Sequence, residues 1–413
     1  MIHSTLGPSF AARVAAAGAT CGGVLVAIGA VPVPLDAPTA AGAVVGLTLG
    51  PGALLLLATA AEKLDEACPP DGARDDRMTC LKASKTVGLG GLAVVDEVTD
   101  VLACITFYKA REWGFFHGSL GLLIFSSLVG GFFGFGAALD RESNACIGFM
   151  LGLVGLSPIV EALQDVRDGK ETDNSGMVKV FEAMAESAPQ FMLQLFYLTV
   201  TGWRAAWTSS RVVVLSAFVS FATLALQFAT VFNTPIGEGW FKMRSEMRGR
   251  KAVTVALLFY FAADLGLRAL ALSVFGYAAE GYLWPALALY VGGHAYLACK
   301  LRENIRLAGI GSANAIGSAL VGLLSFFNAS SARYCKAECL FTTAFCTIFT
   351  LAGLFLPGLP HPHVDPTFRA SATALVAAGA SCKLCAFAWY VWPATWTEKK
   401  PTEEGYLRDL LSA

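Results

Sequence analysis

Apolar runs about 20 residues long recur along this chain, separated by short charged or Gly/Pro-rich stretches. A helix that crosses a bilayer needs about that length. Spanning helices are predicted at 86–109, 114–138, 178–202, 210–233, 252–276, 282–301, 335–357 and 369–392. Two stretches, 145–163 and 307–327, are shorter or richer in Gly, Ser and Asn, and Ser157-Pro158 in the first interrupts a helix. Both are read as re-entrant half-helices that enter and leave by one side, where protein or water must surround their irregular backbone. Ahead of them, 9–35 and 40–61 are Ala/Gly/Val-rich and form either an added helical hairpin or a targeting segment plus an anchor. The hairpin is the preferred reading. The charged loop 62–85 follows as a solvated connector. The fold class is therefore all-α and polytopic, with about eight spanning helices, two half-helices and an extra N-terminal hydrophobic region.

Polar residues interrupt these runs in a pattern. Within FEAMAESAPQFMLQLFYLTV, Glu182, Glu186, Gln190 and Gln194 recur every fourth residue. Four residues advance a helix by about 400°, so the four side chains form one slowly drifting stripe. A carboxylate at the centre of a spanning helix costs about 3 kcal/mol on insertion scales, so the stripe should face a partner or a wet groove. Pro189 frees the carbonyl of Ala185 and widens the helix there. The first core span places Asp96 and Asp100 on one face, with Glu97 about 100° away. The fifth span places Asp264 and Arg268 four apart, and Glu338 lies near the start of the seventh. Arg268 is read as the one centrally placed cation. It can hold two carboxylates, Asp100 or Glu186 among them, and so fix helix packing. The acids and amides exceed what one packing pair needs, and that excess points to a hydrated pathway.

The order of elements suggests two similar halves, each running span, span, half-helix, span, span. Residues 101–116 align without gaps on 269–284, sharing Leu, Ala, Phe, Ala and Glu. The chain divides into an N-terminal region 1–85, a first membrane repeat 86–233, a basic loop 234–251, a second repeat 252–395 and a tail 396–413. Lys242, Arg244, Arg248, Arg250 and Lys251 make 234–251 cytoplasmic by the positive-inside rule. Trp240 and Phe241 beside those charges suit contact with an anionic leaflet, and ordinary topology-setting charge is the equal alternative.

Composition narrows the function classes. Of 413 residues 55% are hydrophobic and 15% charged, with a mean hydropathy of +0.58, where soluble domains carry about 25% charge. The net charge of −1 offers no basic field for nucleic acid. The eleven cysteines are scattered, mostly as small buried hydrophobes. Cys382 and Cys385 form a CxxC inside an Ala-rich helix, with no second pair or His beside it. Cys68 and Cys80 share a loop in which they can pair. The five histidines are dispersed, and no Walker motif or HExxH is present, so neither enzymatic chemistry nor a cofactor or metal is expected.

Taken together, these motifs resemble the XK-related family of membrane proteins, which includes phospholipid scramblases. In VFEAMAESAPQFMLQLFYL, Glu186, Ser187, Pro189, Gln190, Leu193, Gln194 and Leu195 match the family's signature run, and Phe196 stands where Tyr is usual. Asp96, Thr99, Asp100, Tyr108 and Trp113 resemble its opening helix, and Arg268, Leu270, Ala271, Leu272 and Phe275 a later one. Ser216 and Ser220 fit the small-residue face after the signature. The resemblance covers roughly 86–395. It implies two pseudo-symmetric halves and an ATP-independent polar path for lipid headgroups, lined by Asp96, Asp100, Glu182 and Glu186, with Arg268 as their charge partner. Residues 1–85 lie outside the family core, and the tail carries no acidic caspase-type site.

The expected function is phospholipid scrambling through a polar groove, with Gln190 and Gln194 receiving the headgroup alongside the acids. The expected partners are phospholipids, the membrane itself and a lipid-transfer or accessory protein. The plasma membrane is the first expected location and an organelle membrane the second. Two alternatives stay open: a secondary transporter or ion pathway using the same acids, and an adaptor for a lipid-transfer partner.

Overall fold

The computed structural model describes residues 80–140, 144–168, 183–202, 210–231, 251–301, 332–356 and 366–388. The N-terminal region through 79, the half-helix expected at 307–327, Glu182, most of the basic loop and the C-terminal tail lie outside the described residues. So does Cys68, and with it the Cys68–Cys80 pairing.

The described residues are all helical. In chain order they form α1 (Cys80–Lys109), α2 (Trp113–Asp140), α3 (Ala145–Leu153), α4 (Ser157–Asp168), α5 (Ala188–Thr201), α6 (Arg211–Val231), α7 (Lys251–Ala279), α8 (Leu283–Leu301), α9 (Ala332–Phe355) and α10 (Pro366–Ala386). These bounds fall close to the apolar runs in the sequence. Four stretches are long and apolar enough to cross a membrane: Trp113–Leu139, Arg211–Thr230, the run Lys251–Leu297 through α7 and α8, and Ala337–Phe355. That is the pattern of a multi-pass membrane protein. α1 is long enough as well, but Asp96, Glu97 and Asp100 break its apolar character.

Burial points the same way. Phe132, Phe218 and Trp284 lie exposed, while Asp100, Gln190, Gln194 and Lys383 are fully buried. On α1, Val95, Val98, Val101, Leu102 and Ile105 face outward, and Asp96, Thr99, Asp100, Ala103 and Phe107 face inward. Buried polar groups and exposed apolar patches are the informative exceptions in a soluble protein. Here they are the rule, as expected where the surrounding solvent is hydrocarbon.

α1 packs against α2, α4 and α6, and α5 packs against α2 and α6. α7 packs on α9 and α10, and α8 leans on α9. Contacts of α7 with α5 and α6 join the two groups. α2 and α3 cross at glycines: a Cβ on Gly134 would meet the carbonyl of Gly148, and one on Gly152 would meet that of Gly130. Small residues four apart on both helices allow this approach of backbones.

The break between α3 and α4 differs from the sequence expectation. It lies at Val154–Leu156, ahead of Ser157-Pro158. Leu156 N–H donates to the Leu151 carbonyl (2.9 Å) and Gly155 N–H to that of Gly152 (3.1 Å), with Gly155 at φ +68°. This is a glycine-closed helix end, and Pro158 sits in the first turn of α4, where its missing N–H costs nothing. At about 14 and 18 Å, α3 and α4 are each too short to cross the ~30 Å core.

Candidate functional site

The stripe residues do not share one groove. A π-helical turn, Ala183–Ser187, precedes α5 and accommodates the missing donor of Pro189, which is the local widening read from the sequence. The drift of the stripe then sends each side chain to a different neighbour. Gln190 faces α2, where its Nε2 donates to the Ser119 carbonyl (3.0 Å) and its Oε1 accepts from Ser119 Oγ (3.2 Å). Gln194 faces α1 and α6: its Nε2 donates to Asp100 Oδ1 (2.7 Å) and Ser216 Oγ (2.9 Å). Glu186 turns toward the α3–α4 break.

Asp96 and Asp100 sit together in a pocket walled by α1, α5 and α6. Ser187 Oγ donates to Asp96 Oδ2 (2.6 Å), and Ser216 Oγ donates to Asp100 Oδ1 (2.6 Å). Ser220 Oγ lies 2.6 Å from Asp96 Oδ1 and 3.3 Å from Asp100 Oδ1, with one proton to offer the two acids. Among the described residues, no cationic side chain pairs with either carboxylate. Asp100 Oδ2 and Gln194 Oε1 are buried without a hydrogen-bond partner. Ser216 and Ser220, noted in the sequence as a small-residue face, are in fact the donors that hold both acids.

Arg268 is not the charge partner of Asp96 or Asp100. It belongs to a second buried cluster among α7, α9 and α10. Its Nε donates to Asp264 Oδ2 (2.8 Å) and its Nη2 to Glu338 Oε1 (3.0 Å). Nor is it the one central cation. Lys383, fully buried, donates to Asp264 Oδ1 and Thr342 Oγ1. The physical reason is reach: Asp264 lies one turn away on the same helix, and α9 and α10 bring Glu338 and Lys383 against α7. Lys383 was visible in the sequence as a lone cation inside SCKLCA, where the flanking cysteines drew the attention instead. Among the described residues, no cluster of three or more His, Cys, Asp or Glu could hold a metal.

Glu97 supplies a third polar feature. Half-buried on α1, its carboxylate occupies the space that a side chain on Gly155 would need. It lines a narrow recess of about 20 Å3 with Glu186, Ser126, Ser127 and Ser157, backed by the glycines of the α2–α3 crossing. On the outward side, Ser127 also borders an apolar groove of about 520 Å3 formed by Val101, Ile105, Tyr108, Leu120, Ile124 and their neighbours on α1 and α2. Of the acids at this recess Glu97 is half-buried, while Glu186, like Asp96, Asp100, Gln190 and Gln194, is buried. The sequence did show Glu97 pointing away from the two aspartates, but not what it would meet.

Comparison with protein-family profiles, with characterised proteins and with solved structures returns no match for this chain.

Proposed function

We propose that this chain is a phospholipid scramblase of the XK-related type, moving lipid headgroups between leaflets without ATP. The observation that carries the reading is the pairing of two unlike spaces. A recess lined by two carboxylates and three serines adjoins a lateral apolar groove, and Ser127 borders both. A headgroup fits the polar space by its chemistry, while its acyl chains stay in the groove and the bilayer. Glu97 and Glu186 attract the amine or choline end. The sealed Asp96, Asp100, Gln190 and Gln194 hold α1, α2, α5 and α6 in place behind the path.

In this reading α3 and α4 form a re-entrant pair, α1, α5 and α10 join the spanning helices, and the molecule consists of two pseudo-symmetric halves. The register that aligns 101–116 with 269–284 also sets Asp96 on Asp264 and Asp100 on Arg268. Both aligned segments pass through a tight turn with a non-glycine residue at positive φ, Arg111 (60°) before α2 and Glu280 (32°) before α8, one position apart in that register. That agreement supports the repeat.

The test is lipid flipping in proteoliposomes. Purified wild-type protein is expected to expose inner-leaflet fluorescent phospholipid to an external quencher. Glu97→Leu and Glu186→Leu should slow that exposure several-fold with the protein still folded. If wild-type protein leaves the inner leaflet protected, the reading fails.

A further inference from the structure

The buried aspartate cluster of α1, α5 and α6 holds two carboxyl groups and, among the described residues, no cationic side chain. Every group in it that can bind is an oxygen or the Gln194 amide nitrogen. Two of those oxygens, Asp100 Oδ2 and Gln194 Oε1, have no partner, although both residues are fully buried. The amide nitrogen of Gln194 is pinned to Asp100 Oδ1, so its free carbonyl lies within one amide's width of the acids. An orphaned buried acceptor calls for a proton, a water or an ion.

A second observation comes from farther along α6. Thr223 and Gln227 continue the face of Ser216 and Ser220 at helical spacing, and both are buried. Thr223 Oγ1 and both amide atoms of Gln227 also lack partners. The four residues cover about 16 Å of one helix face. Buried polar atoms in such a row are normally satisfied by ordered water, and water along α6 would give the acids an aqueous approach.

The third observation is internal to the molecule. In the second cluster Asp264 receives Arg268 from its own helix and Lys383 from α10. In the first, Asp96 has Asp100 at the position of Arg268, and Ser220 of α6 reaches it as Lys383 of α10 reaches Asp264. One cluster supplies its own cations and the other lacks them.

We infer that the Asp96–Asp100 pocket binds a hard monovalent cation of sodium's class, held by oxygens of Asp96, Asp100, Gln194, Ser216 and Ser220. Hard cations take carboxylate, carbonyl and hydroxyl oxygens, and with three of the five ligands uncharged the cluster compensates the dehydration of a monovalent ion more readily than that of a divalent one. The inference is independent of lipid movement, because its readout contains no lipid transfer.

Thermal unfolding of the purified full chain in detergent tests it, in sodium chloride against N-methyl-D-glucamine chloride at equal ionic strength. Sodium is expected to raise the midpoint saturably, by about 2 °C or more. Asp100→Asn, which leaves every observed hydrogen bond of Asp100 possible, should abolish the response. Ser220→Lys, which supplies the charge from α6, should do the same. Thr350→Ala, whose hydroxyl bonds only the Cys346 carbonyl of its own helix, should keep it. No response to sodium in the wild type overturns the inference, as does a response that survives in Asp100→Asn. A midpoint that moves with acid but not with sodium overturns it too, and identifies the occupant as a proton.

Discussion

Two buried polar clusters lie in this molecule, built on the same plan and closed in opposite ways. Each begins with an aspartate and a second ionisable residue one turn later on a long helix, Asp96 and Asp100 on α1, Asp264 and Arg268 on α7. Each is completed by two further helices. Around α7 the charges balance: Asp264 and Glu338 face Arg268 and Lys383, and both carboxylate oxygens of Asp264 are engaged by cations. Around α1 the acids meet hydroxyls and an amide, and one oxygen of Asp100 meets nothing. Hydrogen bonds spread a negative charge but do not cancel it. The first cluster is therefore the one able to respond to what enters it, and the second is a fixed joint between α7, α9 and α10. A small cavity of about 30 Å3 beside that joint is lined almost wholly by Ala, Leu, Phe and Tyr side chains, with Arg268 at its wall. The recess beside the first cluster, by contrast, is lined by two carboxylates, those of Glu97 and Glu186.

The largest expected effect comes from breaking the balanced cluster. Lys383→Met leaves Asp264 with one cation instead of two and Thr342 without its donor. Removing one partner of a buried pair costs about 3–5 kcal/mol. Unfolding of the purified variant should show a loss of that order. Asp264→Leu combined with Lys383→Met leaves Arg268 to Glu338 and should recover a large part of it. If the double variant is as unstable as the sum of the singles, the cluster is not a balanced joint.

A smaller loss is expected on the acidic side. Ser187→Ala removes the donor to Asp96 Oδ2 at 2.6 Å. A hydrogen bond to a charged group contributes about 1.5–3 kcal/mol, and Ser220 remains on the other oxygen. Ser119→Ala should cost less, about 0.5–1.5 kcal/mol, because Gln190 Nε2 keeps the Ser119 backbone carbonyl. If Ser187→Ala proves as damaging as Lys383→Met, the two clusters are equally rigid and the contrast between them dissolves.

The sequence exposed the elements more readily than the pairings. Apolar length located the helices because a run of about 20 apolar residues has few other uses. The glycine-closed end at Gly155 was hidden behind Pro158, since proline marks a boundary without saying on which side the break falls. The drift of the Glu186–Gln190–Gln194 stripe was visible, but its consequence was not. A turn of about 40° per step decides whether a side chain meets α2 or α6 only once those helices are in place. Arg268 had several acids within plausible reach in the sequence, and the choice of Asp264 and Glu338 is tertiary. Lys383 was legible as a charge in an apolar helix and needed only to be weighed against Asp264.

The smallest effect separates the clusters most sharply. Asp100→Asn keeps an acceptor oxygen for Gln194 and Ser216 and places its new N–H2 where Oδ2 has no donor to lose. Asp264→Asn must point the same group at either Arg268 Nε or Lys383 Nζ, donor against donor. The two substitutions are chemically identical and fall on the first aspartate-bearing turn of each cluster's long helix or the turn after it. In sodium-free buffer Asp100→Asn should change stability by no more than about 1 kcal/mol and in the stabilising direction, because it removes an uncompensated buried charge. Asp264→Asn should lose about 3 kcal/mol or more, because it leaves a buried cation short of its counter-charge. Measured side by side in the same detergent, equal losses would mean that Asp100 is already neutralised as fully as Asp264. Opposite signs would place an unbalanced buried charge on α1, beside the recess of Glu97 and Glu186.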